Sequence, residues 1–431
     1  EQDAAEEAAR LKAEQEAAEE AARLKAEQEA AAEITRLKAM PREDEEDTRI
    51  LLKAASNGNT AVISELHKLE VSMTLANKKG WTALYVSSYE GHLETVRFLV
   101  VTCQLDINVV TTHSCTPVYA AASQGHTEIV NFLLAQGCDT AIVTQNCWSP
   151  LTAAVSQGHL DIVSALHNHG SDINCVLSGN TPLIVAAARG DSHIVQFLGE
   201  LGADVNLGNP KGVTPLHKAV MSNELGVVQT LGGLKVNLEV KSTFGITALY
   251  MAVKSESMPM VKLLSEMGAD VEACDNNGCS PLFIAAVHGL LDIVAFLSKQ
   301  HNANVNAPNN LGWTPMYGAA REGNVDMVRC LKELGGDVNI ENDKGWTPFY
   351  AAAHKGNIET LHVLQEFGAD INAPNVNGWS PLFQSAKWGD KDMVKVLLDM
   401  GANKSMPNAK GQTPLDIAIK ENFDDIVDLL K

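Results

Sequence analysis

The chain has 431 residues, of which 45% are hydrophobic and 20% charged, and its formal net charge is −20. An acidic chain without a basic stripe argues against nucleic acid and anionic membranes as main partners. No run of 18 apolar residues and no signal-peptide pattern is present, and the eight cysteines are scattered with no Cys-x-x-Cys pair; small buried thiols in a reducing, intracellular (cytoplasmic) compartment are the expectation.

Residues 1–40 read as a charged helix. The stretch Glu6 to Glu16 returns as Glu19 to Glu29, thirteen residues later. Its Ala, Glu, Gln, Lys, Arg and Leu are all good helix formers. Opposite charges fall at i,i+4 in Glu6–Arg10, Lys12–Glu16, Glu19–Arg23 and Lys25–Glu29. Leu11, Leu24 and Leu37 also recur at thirteen, an interval that rotates each off the previous face at about 100° per residue. That predicts a solvated single helix without a coiled-coil seam; a partner-binding or oligomerising helix is the competing reading. Whether this segment is native or appended stays open, with Glu1 first and Met40 before Pro41. An acidic linker over 41–47 and a repeat array over 48–431 complete the division into domains.

The array announces itself by period. Thr-Pro or a variant recurs from Thr82-Ala83 through Thr116-Pro117, Ser149-Pro150 and Thr347-Pro348 to Thr413-Pro414, at intervals of 32 to 34 residues. Such a period identifies a solenoid of stacked supersecondary units. In the unit Gly345 to Ile371, Thr347 and Pro348 suit a helix start. Ala351, Ala352 and Ala353 keep that helix thin, and Gly356 suits its end. Ile358, Leu361, Val363 and Leu364 predict an inward stripe on a second helix, which Gly368 stops. A degenerate unit, Thr48 to Asn77, precedes eleven such units and suits an N-terminal cap. Asp424, Asp425 and Asp428 in the last unit suit a solvent-facing outer side, near the end of the solenoid.

These residues make the sequence resemble the ankyrin-repeat family: the Thr-Pro-Leu-His-like start, the Ala-Ala pair, the Gly-His break at 125–126 and 158–159, and endings such as Gly202-Ala203-Asp204-Val205-Asn206. The resemblance covers roughly residues 46–431. It implies an all-α ankyrin solenoid of about twelve repeats, each a helix-turn-helix with a hairpin-like loop, following the N-terminal helix. It also implies a non-enzymatic protein-binding module, although one scaffold serves many partners.

Two units depart from the pattern. The sixth has Gly226, Gly232 and Gly233 in or near its second helix. The seventh has Ser255-Glu256-Ser257-Met258-Pro259 where the break is expected. Interior glycine costs about 1 kcal/mol per helix position, so the junction reads as a hinge or as sequence drift. No Walker loop, His-Glu-x-x-His, nucleophile elbow or dinucleotide fingerprint occurs, and no catalytic, cofactor or metal residues are assigned. His167-Asn168-His169 and His113 with Cys115 lack the further ligands of a metal site and read as polar turns.

The residue before the Thr-Pro start is Trp81, Trp148, Trp313, Trp346 or Trp379, five of the six tryptophans. The resemblance places this position on the hairpin finger. It also sets Tyr317, Tyr350 and Phe383, and Arg321-Glu322, His354-Lys355 and Lys387-Trp388, along the concave side. The expected partner-binding set is therefore Trp313, Tyr317, Arg321, Trp346, Tyr350, His354, Lys355, Trp379, Phe383, Lys387 and Trp388, since tryptophan, tyrosine and arginine are enriched at hot spots. Packing of each indole on its own hairpin is the structural alternative. The functional expectation is an adaptor or scaffold that takes an acidic, partly apolar protein segment. A spacer docked through its N-terminal helix and a substrate receptor for an enzyme complex are the other readings.

Overall fold

The computed structural model describes Lys25, residues 28–36, Lys38 and residues 43–431. The pattern over residues 1–24, Leu37 and Met40 lies outside the described residues. From Asp44 onward the described helices form twelve successive pairs, from Asp44–Ser56 with Thr60–Lys68 to Pro414–Lys420 with Asp424–Leu430. Between the pairs run short fingers with, among the described residues, isolated β-bridges only, Ala76 with Thr82 and Leu177 with Asn180. The chain divides into two compact units, Glu1–Ala203 and Asp204–Lys431. Repeats one to five lie in the former and six to twelve in the latter. Within each unit, first helices pack on neighbouring first helices and second on second.

Local chemistry explains each pair. Thr347 adopts an extended backbone and its side chain accepts from the Tyr350 N–H at 3.2 Å, while Pro348 occupies the first turn. The second helix Ile358–Glu366 buries Leu361, Val363 and Leu364. Ile358 departs from the expected stripe: it is 42% exposed, because at the first helical position it still lies on the turn. In the last repeat Ile426, Val427 and Leu430 are buried while Asp424, Asp425 and Asp428 face solvent, as expected.

The Gly-His breaks have a packing cause. A Cβ on Gly58, Gly91 or Gly125 would come 2.5 to 2.7 Å from the ring of His92, His126 or His159 in the next repeat. Each ring covers the glycine, and His92 and His126 also bond the Ser56 and Tyr89 carbonyls at 2.8 and 2.9 Å. The Asp-Val-Asn endings do more than turn the chain. Asn306 and Asn339 accept through Oδ1 from the N–H of Asp337 and Asp370 in the following repeat, each at 2.9 Å.

Each departure from the 33-residue period has a local structural counterpart. The 34-residue interval after Thr82 contains a π-helical turn, Phe98–Thr102, a usual home for one inserted residue. The 34-residue interval after Ser280 contains a longer second helix, Leu291–His301, ended by Asn302 at φ 56°. The 32-residue interval after Ser149 has a shortened finger closed by the Leu177–Asn180 bridge.

Repeats six and seven keep intact helix pairs. Asn223 and Glu256 take the left-handed position that glycine holds elsewhere, at φ 58° and 57°. Pro259 sits in the first turn of Met258–Glu266, where it is tolerated. Gly232 admits the Met267 side chain, whose Cε would lie 2.6 Å from an added Cβ.

Two expectations at the N-terminal end change. The first helix starts at Asp44, so the acidic linker supplies its opening turn, where Asp44, Glu45, Glu46 and Asp47 complement the helix dipole. The described part of the leader is helical, with the expected Lys25–Glu29 pair at 4.0 Å, but it is not solvated all round. Ala30 is buried, Glu29 and Glu33 line a cavity with Ile50 and Ala54, and Lys38 Nζ lies 3.1 Å from Glu65. Repeat one has no preceding repeat to cover Ile50 and Ala54, so this helix takes that place. Only Cys279 is buried among the cysteines; Cys147 is exposed and the other six are half-buried, because they fall on loops and helix edges.

Candidate functional site

Each finger in repeats nine to eleven is closed by an asparagine. Asn342 Oδ1 accepts from the N–H groups of Lys344 and Trp346 at 2.9 and 3.0 Å, and its own N–H donates to the Trp346 carbonyl. Asn309 and Asn375 do the same for Trp313 and Trp379. Gly345 sits at φ 72°, and a Cβ there would lie 2.9 Å from Val376 N, whose N–H donates to the Lys344 carbonyl at 3.0 Å. Finger is thus stitched to finger, which fixes the base of every indole.

The indoles lie on the first-helix rings in register. Centroids are 5.1 Å apart for Trp313 and Tyr317, 5.0 Å for Trp346 and Tyr350, and 5.7 Å for Trp379 and Phe383, all stacked. Tyr317, Tyr350 and Phe383 are 2%, 1% and 1% exposed, whereas the tryptophans are half-buried. This corrects the expectation that all three sets line an open face: the Tyr and Phe rings are its floor. Their position, third in the first helix, points inward beneath the indole. Burial pushes the Tyr317 hydroxyl up to about 12 and raises Tyr350 as well. The Tyr350 hydroxyl donates to Gln384, whose amide nitrogen lies 3.3 Å from His354 Nδ1.

Cations cover the indoles from above. The Arg321 guanidinium is 5.1 Å from the Trp313 centroid, and also 3.2 Å from Glu322. Lys387 Nζ is 3.8 Å from the Trp379 centroid and 5.8 Å from that of Trp388, itself 66% exposed. Lys344 Nζ is 5.6 Å from the Trp346 centroid. Sequence reasoning missed Lys344; Lys79, at the same finger position and 5.2 Å from the Trp81 centroid, was the available signal. It also missed the exposed finger residues Leu311 and Val376, on the fingers either side of the one that carries Lys344. Lys355 is exposed and makes no ion pair among the described residues, and His354 is exposed on its outer side. Partial burial lowers the His354 pKa, with Lys355 and Arg321 adding to the effect. His113 and His169, weighed above as ligands, instead bond Gln145 Oε1 at 3.2 Å and the Ala165 carbonyl at 3.1 Å.

The family profile described as "Ankyrin repeats (3 copies)" matches residues 20–112, 101–176, 169–240, 233–309, 300–375 and 367–431. The chain belongs to the ankyrin-repeat family. Ankyrin repeats generally mediate protein–protein interaction and are typically non-enzymatic modules. Among solved structures, the human ASB11 ankyrin repeat domain is 26% identical with a TM-score of 0.46, over 51% of this chain and 98% of that one. No curated protein matches. No described helix is long and apolar enough to cross a membrane.

The ankyrin start is complete at Thr214-Pro215-Leu216-His217. There His217 Nδ1 accepts from the Thr214 N–H at 3.2 Å, so Nε2 carries the proton that it donates to the Ile246 carbonyl at 2.9 Å. Burial lowers the His217 pKa against the opposing effect of that carbonyl. In repeats nine to eleven of this ankyrin chain, Tyr317, Tyr350 and Phe383 hold that position and exchange a polar bridge for a stacked ring.

Proposed function

We propose that this ankyrin-repeat chain is a non-enzymatic intracellular adaptor that binds an acidic, partly apolar protein segment on the fingers and first helices of repeats nine to eleven. The observation that carries the reading is a cation over a stacked indole in three successive repeats: Arg321 on Trp313 and Lys387 on Trp379 from the first helix, and Lys344 on Trp346 from the finger. Carboxylates meet the cations, and apolar side chains enter between half-buried indoles already held rigid by their floor. Rigid aromatic anchors lose little entropy on binding. Eight unpaired cysteines accord with a reducing compartment. The leader's contacts with repeat one favour this reading over a spacer docked through that helix.

The test uses the full chain and a labelled peptide of alternating Glu and Leu. Trp346→Ala combined with Lys355→Glu is expected to weaken binding by about 2 kcal/mol or more. Lys387→Glu alone is expected mainly to slow association and flatten the salt dependence. Unchanged affinity in folded variants would show that the tryptophan ladder is packing alone.

A further inference from the structure

An opening on the other unit, between repeats three and four, has a different chemistry. We propose that the notch between the fingers and first helices of repeats three and four is a separate binding site, for an uncharged proline-rich segment. The notch has a volume of about 570 Å³ and is lined by Cys115, Tyr119 and Ser123 from repeat three and Trp148, Ser156 and Gln157 from repeat four, among others. None of its lining residues is Asp, Glu, Lys or Arg, in a chain that is 20% charged.

Its origin is legible position by position. Cys115 stands where Trp81, Trp148 and Trp313 stand in their repeats, so one indole is missing. Ser123 and Ser156 stand where Arg321 and Lys387 stand, so the covering cations are missing too. What remains is a slot with an aromatic wall from each repeat and a polar base of Ser, Thr, Asn, Gln and His113 side chains.

The hydrogen-bond inventory selects the occupant. The backbone N–H groups of Tyr119 and Trp148 are taken by Thr116 Oγ1 and Thr144 Oγ1. The Tyr119 hydroxyl, the Trp148 indole N–H and the Gln157 amide have no partner in the described structure, so the notch offers donors. A carboxylate or ammonium would lose its hydration there, and no Asp, Glu, Lys or Arg lines the notch to replace it. A polyproline stretch brings carbonyl acceptors, no backbone N–H, and flat rings that fit between aromatic side chains. It is also ordered before binding, which limits the entropy lost.

The experiment titrates fluorescently labelled decaproline into the full chain by anisotropy, with the Glu/Leu peptide as the second probe. Saturable decaproline binding is expected. Tyr119→Phe, which keeps the ring and removes one donor, is expected to weaken it about threefold to tenfold. Gln157→Glu, on an exposed side chain, is expected to do the same by adding a charge, while Lys387→Glu leaves it unchanged. Thermal melts establish that the variants are folded. No binding at millimolar decaproline overturns the assignment, as does binding indifferent to both Tyr119→Phe and Gln157→Glu. Loss of decaproline binding in Lys387→Glu would overturn it by placing the segment on repeats nine to eleven. Displacement by the Glu/Leu peptide that persists in Lys387→Glu would overturn it by making the notch an acidic-segment site.

Discussion

Seven places after the capping Thr or Ser, repeats two to four carry Tyr89, Ser123 and Ser156, whereas repeats nine to eleven carry Arg321, His354 and Lys387. The same two regions differ at the turn between helices. In the former, His92, His126 and His159 roof the glycine of the preceding repeat; in the latter, Asn324 and Asn357 do so, with Asn357 Nδ2 donating to the Ala320 and Arg321 carbonyls at 3.0 and 2.9 Å. Both solutions satisfy the same orphan carbonyls at a helix C-terminus. Frame and face therefore vary independently: the turn accepts either side chain because its task is a hydrogen bond, while the face positions set the charge along the first helices.

The largest contrast is expected in the floor. Tyr350→Ala should cost about 3–5 kcal/mol, since it empties a fully buried site beneath Trp346. Tyr119→Ala should cost clearly less, because that ring is half-buried beside the notch. Urea unfolding of both variants measures this, and equal losses would mean the notch is as tightly packed as the tryptophan ladder.

A middle-sized effect should separate the roofed turns from the open ones. Gly125 and Gly356 share left-handed backbones, at φ 85° and 78°. An added Cβ meets the His159 ring at 2.7 Å in the first and nothing within 4 Å in the second. Gly356→Ala should therefore cost about 1–2 kcal/mol from conformation alone, and Gly125→Ala more. Equal costs would show that the histidine roof yields freely.

The smallest effect concerns repeat six against repeats nine to eleven. Burial holds His217 neutral with a pKa below its ordinary 6.5, so the unfolded chain binds the extra proton. The stability from keeping it neutral is present above pH 6.5 and declines as pH falls below that value toward the folded pKa. His217→Phe, the residue type found at Phe383, should remove this part of the acid sensitivity in melts compared at pH 7 and pH 5. An undiminished pH dependence in the variant would place the effect on other groups.

Much of the frame was readable from residue types alone. The Thr-Pro start specifies a helix N-terminus through hydroxyl capping and a fixed proline φ, and its spacing specifies stacking. The glycine of Gly-His marks a left-handed turn, although the ring that covers it at Gly91 and Gly125 belongs to a residue about 34 positions later, as His159 is to Gly125. The site was half legible. The tryptophan positions and the cations Arg321 and Lys387 were found by register, but the depth of Tyr317, Tyr350 and Phe383 was not, because hydrophobicity does not distinguish an aromatic floor from an aromatic surface.

The sequence by itself determined the period and the helix ends, because caps, glycines and helical apolar stripes act within one repeat. Only the tertiary structure decided which rings are covered and that the described part of the leader rests on repeat one. Those outcomes depend on side chains some 30 residues apart or more meeting across a stacked interface, and on repeat one having no neighbour to bury Ile50 and Ala54. No pattern confined to a single repeat contains that information.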